Sequence, residues 1–424
     1  MGHQLAVSIF AELRPDRIDA ARALLKALRS SAAERFGFEK LPTLHFARFL
    51  FLDAVDDLRG DRIPARIAFM ADIDAPAESF LADLAESGAD ALDEVFDNCV
   101  GYPASTARTR DARIEYLRRH MVAAAASYVN TVGLTLDQIH KEAELRNAIQ
   151  NFLDGPEHDW SKVGSLAVRA RIHSYVASNE SLRWALEPAR KPALAWRIRE
   201  ALHFVAVPAL LLVLLPVILV GLPFYLVALR IHELRDKPSA AKPDPERLLE
   251  LSELEDHEAV QNPFAAVGFV KLGAFRLGTL KFVLWLANHA TRHVFNKGDL
   301  AGVKTIHFAR WVFMDDGRRM IFASNYDGSL ESYMDDFIDK EAWALNAVFS
   351  NGSGYPKTSW LLRGGARDEL AFKNYLRTNQ LPVHVWYSAV PSLTALNINK
   401  NALIRKGLNG SMSEHEAREW LQLL

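Results

Sequence analysis

One ten-residue stretch occurs twice in this chain, and it constrains the fold more than any other feature. Residues 43–52 read T-L-H-F-A-R-F-L-F-L, and residues 305–314 read T-I-H-F-A-R-W-V-F-M. Thr43/Thr305, His45/His307, Phe46/Phe308, Ala47/Ala309, Arg48/Arg310 and Phe51/Phe313 are identical. Aromatic and β-branched residues are frequent and neither copy contains Pro or Gly, so each reads as a strand. The repeat extends both ways. Upstream, Phe10, Leu13 and Arg17 match Phe269, Leu272 and Arg276. Downstream, R-I-A-F-M-A-D-I-D (66–74) matches R-M-I-F-A-S-N-Y-D (319–327), and both copies then reach a V-F-x-N-x-x-G-Y-P run ending at Pro103 and Pro356. Tyr116, Tyr128, Leu134-Thr135 and Arg146 match Tyr375, Tyr387, Leu393-Thr394 and Arg405. A register kept this long and changed only at loops predicts two equivalent halves.

Within each half the pattern predicts strand, helix, strand, strand, helix, a further helix, strand and closing helix. Asp315-Asp316-Gly317-Arg318 carries the Asp-Gly signal of a tight connection between 305–314 and 319–327. The late strand is V-H-V-W-Y-S-A-V (383–390). This is the β-α-β-β-α-β order of a ferredoxin-like unit with an extra helical excursion. The expected fold class is α+β: two tandem ferredoxin-like repeats, residues 1–154 and 263–424, packed as a pseudo-symmetric α/β barrel, with a helical, hydrophobic insertion at 155–262.

The duplicated unit resembles the superfamily of dimeric α/β barrels, which includes cofactor-free monooxygenases of quinone-like substrates, chlorite dismutases and dye-decolourising peroxidases. It also resembles uncharacterised bacterial membrane-associated members of this build, through its H-F-A-R-W and D-G-S-L-E-S-Y-M-D-D-F-I-D wording. The peroxidases' G-x-x-D-G signature is met in part by Ser324-Asn325-Tyr326-Asp327-Gly328, where Ser324 replaces the first Gly. The resemblance implies a lipophilic small-molecule site, an oxidoreductase chemistry, or haem held by His307 or His384.

In the insertion, Phe204 to Leu229 runs without a charge, flanked by Lys191, Arg197 and Arg199 before it and Arg230, Arg235 and Lys237 after. At ~1.5 Å per residue its length matches one crossing of a ~30 Å hydrocarbon layer. Pro208, Pro216, Gly221 and Pro223 interrupt it, and basic flanks on both ends place both on the cytoplasmic face. Sheets that pack on one another must also share a side. The expectation is a hydrophobic hairpin over 204–229, turning near Pro216–Pro223, in one leaflet. Pro238 to His257 reads as an acidic, solvated linker.

The formal charge of −2 gives no reason to expect nucleic acid. Cys99 is the only cysteine, which excludes an intrachain disulfide and fits a reducing, cytoplasmic setting. The N-terminal wording lacks a secretory pattern. No metal-ligand set is assigned, and Walker, H-E-x-x-H, G-x-S-x-G and dinucleotide motifs are missing from the sequence. Strict alternation sets His307, Ala309 and Trp311 on one face of their strand, and Ile306, Phe308 and Arg310 on the other. A buried Arg needs a carboxylate or a ligand anion, and the candidates lie on the neighbouring strand. The second half keeps more polar groups, so the catalytic candidates are His307, Arg310 and Asp327, and the substrate-binding candidates are Asn325, His384, Trp386 and Tyr387. Expected partners are membrane lipid and a lipophilic small molecule, with a homo-oligomer compatible. The other readings are a non-catalytic lipid-binding or assembly protein and a haem protein.

Overall fold

A computed structural model of the chain describes residues 4–156, 160, 162–188, 194–239, 242–256 and 258–424. The flanking Lys191 and the linker's His257 lie outside the described residues. The strands of the two main sheets are β1 (Gln4–Glu12), β2 (Leu44–Leu52), β3 (Arg66–Asp74), β4 (Ala126–Val129), β5 (Gln261–Phe269), β6 (Ile306–Met314), β7 (Arg319–Asp327) and β8 (Val385–Ser388). The longer helices of the first half are α1 (Ile18–Ala27), α2 (Ala77–Ser87), α3 (Ala89–Phe96), α4 (Arg110–Arg119) and α5 (Leu136–Leu153). The insertion contributes α6 (Ser165–Ser178), α7 (Leu194–Val213), α8 (Leu215–Arg235) and α9 (Pro245–Leu254). The second half adds α10 (Ala274–His293), α11 (Leu330–Phe349), α12 (Glu369–Asn379), α13 (Ala395–Leu408) and α14 (Glu414–Leu421).

The fold is mixed α+β, built on two four-stranded antiparallel sheets with orders β1-β3-β2-β8 and β4-β6-β7-β5. The two repeated stretches, β2 and β6, are both inner strands. The fourth strand of each sheet comes from the other half of the chain. Val385 to Ser388 pair with Phe49 to Phe46 of β2, and Ala126 to Val129 pair with Trp311 to Phe308 of β6.

The sheets face each other across an apolar layer of Phe10, Leu50, Leu52 and Met70 from one and Val312, Met314, Ile321 and Ala323 from the other. Burying each such aliphatic or aromatic side chain is worth about 1.5–3 kcal/mol, so this layer is a main source of cohesion. Separate cores lie on the outer, helix-covered faces.

The expected closed barrel is corrected by the strand pairing. Among the described residues, no ladder joins the edges of the two sheets. Among these residues, the isolated bridges Ile9–Met121 and Ala266–Gln380 are what lies along β1 and β5. The physical reason is the crossing of the late segments. Residues 120–122 bond to the edge of β1, through Phe10 N to His120 O at 3.0 Å and Val122 N to Ser8 O at 2.8 Å. The chain then leaves for the opposite sheet, so the contact cannot lengthen into a ladder.

Strict alternation along β6 is also corrected. A bulge between Ile306 and Phe308 shifts the register. The extra residue puts Ile306 in the helix-side core with Ala309 and Trp311, while Phe308 faces the other sheet. β2 carries the same bulge between Leu44 and Phe46.

The expected solvated linker is in part a helix. Asp244 caps α9, accepting from Glu246 N, and Pro245 stands at its first turn. Leu251 is buried, and Glu250 pairs with Lys26 of α1 at 2.8 Å.

The charge-free run forms α7 and α8, broken at Leu214, just ahead of the expected Pro216–Pro223 turn. Pro216 stands in the first turn of α8, where its missing N–H costs nothing, while Pro208 and Pro223 lie inside α7 and α8. Both legs stand on the same helix, α10. At the first foot Glu200 accepts from Arg292, with Nε at 2.7 Å, and Phe204 packs on His289 and His293. At the second, Tyr225 and His232 pack on Phe275, and Asp236 pairs with Arg276 and with Lys271. Glu233, itself buried, accepts from the backbone N–H groups of Trp360 and Leu361 at 2.9 and 2.8 Å. Between these feet the run is an arch with exposed apolar side chains, among them Leu212, Val213, Val217, Val220 and Phe224.

Candidate functional site

His307 and Asp327 are brought together. His307 Nε2 donates to Asp327 Oδ1 at 2.7 Å, while Asp327 Oδ2 accepts from Ala395 N, in the first turn of α13, at 2.8 Å. Thr394 caps that helix, accepting from Asn397 N. The carboxylate thus sits at the positive end of a helix. His45 and Asp74 repeat the arrangement: Nε2 to Oδ1 at 2.9 Å, and Leu136 N of α5 to Oδ2 at 2.9 Å. His45, Asp74 and His307 are buried and Asp327 is partly buried, and each oxygen of each carboxylate has a partner. The chemistry available is to lock a bulged strand end onto a helix start.

Arg310 does not join them. It reaches the opposite sheet, donating to Val7 O at 2.6 Å and Ala71 O at 2.9 Å and pairing with Asp72. Arg48 mirrors it, donating to Phe264 O at 2.7 Å, Ser324 O at 2.8 Å and Asn325 Oδ1. Asn325 Nδ2 donates to Asp72 Oδ2 at 3.0 Å, and Trp386 Nε1 to Asn325 Oδ1 at 3.1 Å. One buried network, Arg48–Asn325–Asp72–Arg310, therefore ties the two sheets. Burial lowers the Arg48 pKa to about 10, which leaves the guanidinium charged at neutral pH.

The remaining candidates are dispersed, because β8 joins the first sheet. Tyr387 packs on Phe38 in that sheet's outer core, with ring centroids 5.3 Å apart. His384 stands 3.5 Å from Glu250 in a cleft between α1 and α9 that is also lined by Arg22, Lys26 and Arg29. His307 is sealed by Phe46, with ring centroids 5.4 Å apart, and His384 faces charged walls.

The arrangement best suited to a small molecule lies on the other side of β6. A cavity of about 310 Å³ opens between α10 and α11, walled by Val283, Leu286, Ala290, Trp311, Phe337 and Leu345 among others. Its one ionisable wall residue is Glu341, 5 % exposed, where α11 kinks (φ −128°, ψ 19°). Burial, and then the like charge of Asp299, raise its pKa from 4.5 to about 7. Trp311 supplies a second polar group, an indole N–H buried without a hydrogen-bond partner. Its counterpart in the first half is Phe49, which packs at 4.8–5.0 Å between Phe36 and Phe69 in a ring cluster. Sequence reading missed this site. The only available signal was Trp311 where the other copy has Phe49, with a lone acid, Glu341, on an apolar helix face.

The Glu341 shift makes a prediction. The unfolded chain releases this proton near pH 4.5 and the folded chain near pH 7, so stability falls as pH rises from about 4.5 to about 7. Glu341→Gln flattens that part of the profile of thermal midpoint against pH. A wild-type slope kept intact in Glu341→Gln would assign it to other groups.

No family model matches the chain, and no curated protein matches it.

Proposed function

We propose that this is a membrane-associated protein that binds a lipophilic small molecule with one polar end, quinone-like or lipid-like, in the cavity between α10 and α11. The observation that carries the reading is that α10 forms one wall of this cavity and is also the helix on which both feet of the apolar arch stand. A ligand leaving the bilayer along the arch meets the cavity without crossing open water. Glu341 and the Trp311 indole N–H are then the two groups that recognise the polar end, since an unpaired buried donor gains most from a partner. The basic flanks Arg197, Arg199, Arg230 and Arg235 put both feet on the cytoplasmic side. The arch enters one leaflet, as its legs are each about 15–18 Å long at helical rise.

On this reading the body is a duplicated ferredoxin-like unit whose late strands are exchanged between halves. Binding is the activity the geometry supports best. An oxidoreductase would add turnover of the same ligand, with Glu341, titrating near neutrality, as the group that moves a proton.

The test is mass spectrometry of solvent extracts from protein purified out of membranes in mild detergent. The wild type carries a quinone or fatty-acyl species near one per chain. Ala290→Phe, which fills the cavity, loses it. An identical ligand load in wild type and Ala290→Phe would place the molecule elsewhere and defeat the proposal.

A further inference from the structure

Three histidines not used in the cavity meet at the first foot of the arch. His203 comes from α7, and His289 and His293 stand one turn apart on α10. One ring nitrogen from each lies within 4.8 Å of the others, and His203 Nδ1 and His293 Nε2 are 2.7 Å apart. Tetrahedral zinc, with Zn–N bonds of about 2.0–2.1 Å, holds two ligand nitrogens roughly 3.3 Å from each other. The observed spacing brackets that figure, so small ring rotations converge the donors on one point.

Two further observations favour an ion over a plain ring cluster. His289 Nδ1 is buried without a hydrogen-bond partner, a cost that coordination removes. All three residues are only half-buried, so an ion can enter. The foot is also fixed before any ion arrives. Glu200, one turn ahead of His203, is clamped to Arg292, one residue before His293.

We propose that His203, His289 and His293 bind one divalent first-row transition ion of the zinc type, with the fourth coordination position open to water. Imidazole donors alone select such ions over magnesium or calcium. The bound ion fastens the start of the arch to α10. This site is independent of the lipophilic cavity, and either can fail without the other.

The experiment uses the full chain in mild detergent, stripped with chelator and titrated with Zn²⁺. The expected result is one ion per chain, with Co²⁺ giving the visible absorption of a tetrahedral complex. His203→Ala and His289→Ala lower affinity on the order of 100-fold, with the circular dichroism unchanged, while His173→Ala, on α6, has no effect. A second measurement needs no variant: Zn²⁺ protects His203, His289 and His293 of the wild type from diethyl pyrocarbonate, read by peptide mass spectrometry. Failure of the wild type to bind Zn²⁺, undiminished binding in both alanine variants, or protection of other histidines only would each overturn the site.

Discussion

Replacing Leu212, Val213, Val217, Val220 and Phe224 together with serine releases the protein from membranes into the soluble fraction and leaves its body folded. These five side chains are 69–75 % exposed, so they add nothing to the packed core. Exposed apolar clusters of this size on a folded protein mark a surface that is covered in use. Burying each in lipid is worth about 1.5–3 kcal/mol, so together they supply on the order of 10 kcal/mol of attachment. Both feet of the arch are held by contacts the substitutions do not touch, namely Glu200–Arg292 and Asp236–Arg276. Fractionation of membranes, with circular dichroism of the released protein, reads the result. Full retention in the membrane would show that the arch does not anchor the chain.

The second large effect is on stability. Arg310→Ala destabilises the fold by about 3–5 kcal/mol, because it leaves the Asp72 carboxylate buried and without its cation. It also leaves the Val7 and Ala71 carbonyls short of a donor. Arg310→Lys recovers little, as a single ammonium cannot reach the carboxylate and both carbonyls in a planar fork. Adding Asp72→Asn to Arg310→Ala restores part of the loss by removing the stranded charge. Denaturant titration of the four proteins measures this. Equal stability of wild type and Arg310→Ala would contradict the inter-sheet role of the network.

How much of this was legible in the sequence depends on the range of the interaction concerned. The repeated T-x-H-F-A-R wording marked the inner strands, because a buried strand is written in its own residues. Leu134-Thr135 and Leu393-Thr394 were legible only as matched positions of the repeat; the structure shows that Thr135 and Thr394 cap helix starts. The bulges at His45 and His307 were not legible: an extra residue leaves the alternation looking intact until the partner strand is known. Nor was the partner of Arg310, since Asp72 belongs to the other sheet and Asp327, nearer in sequence, is already taken by His307. His384, Trp386 and Tyr387 were grouped with the second half because sequence order says so, whereas their strand pairs with β2. The histidine site joins positions on two helices of different segments, and a single H-x-x-x-H spacing at His289 and His293 is too common to announce it.

The exchange of late strands sets a timetable for the chain as it is made. β2 emerges early, but the strand that covers its edge, Val385 to Ser388, is among the last segments translated. At about 5–20 residues per second, the first sheet waits on the order of a quarter of a minute to a minute with that edge unpaired. The arch lies between these two points in the chain, so it is finished before the body can close. On the proposed reading of the arch as a lipid anchor, attachment precedes completion of the fold, and the two sheets meet at the bilayer surface.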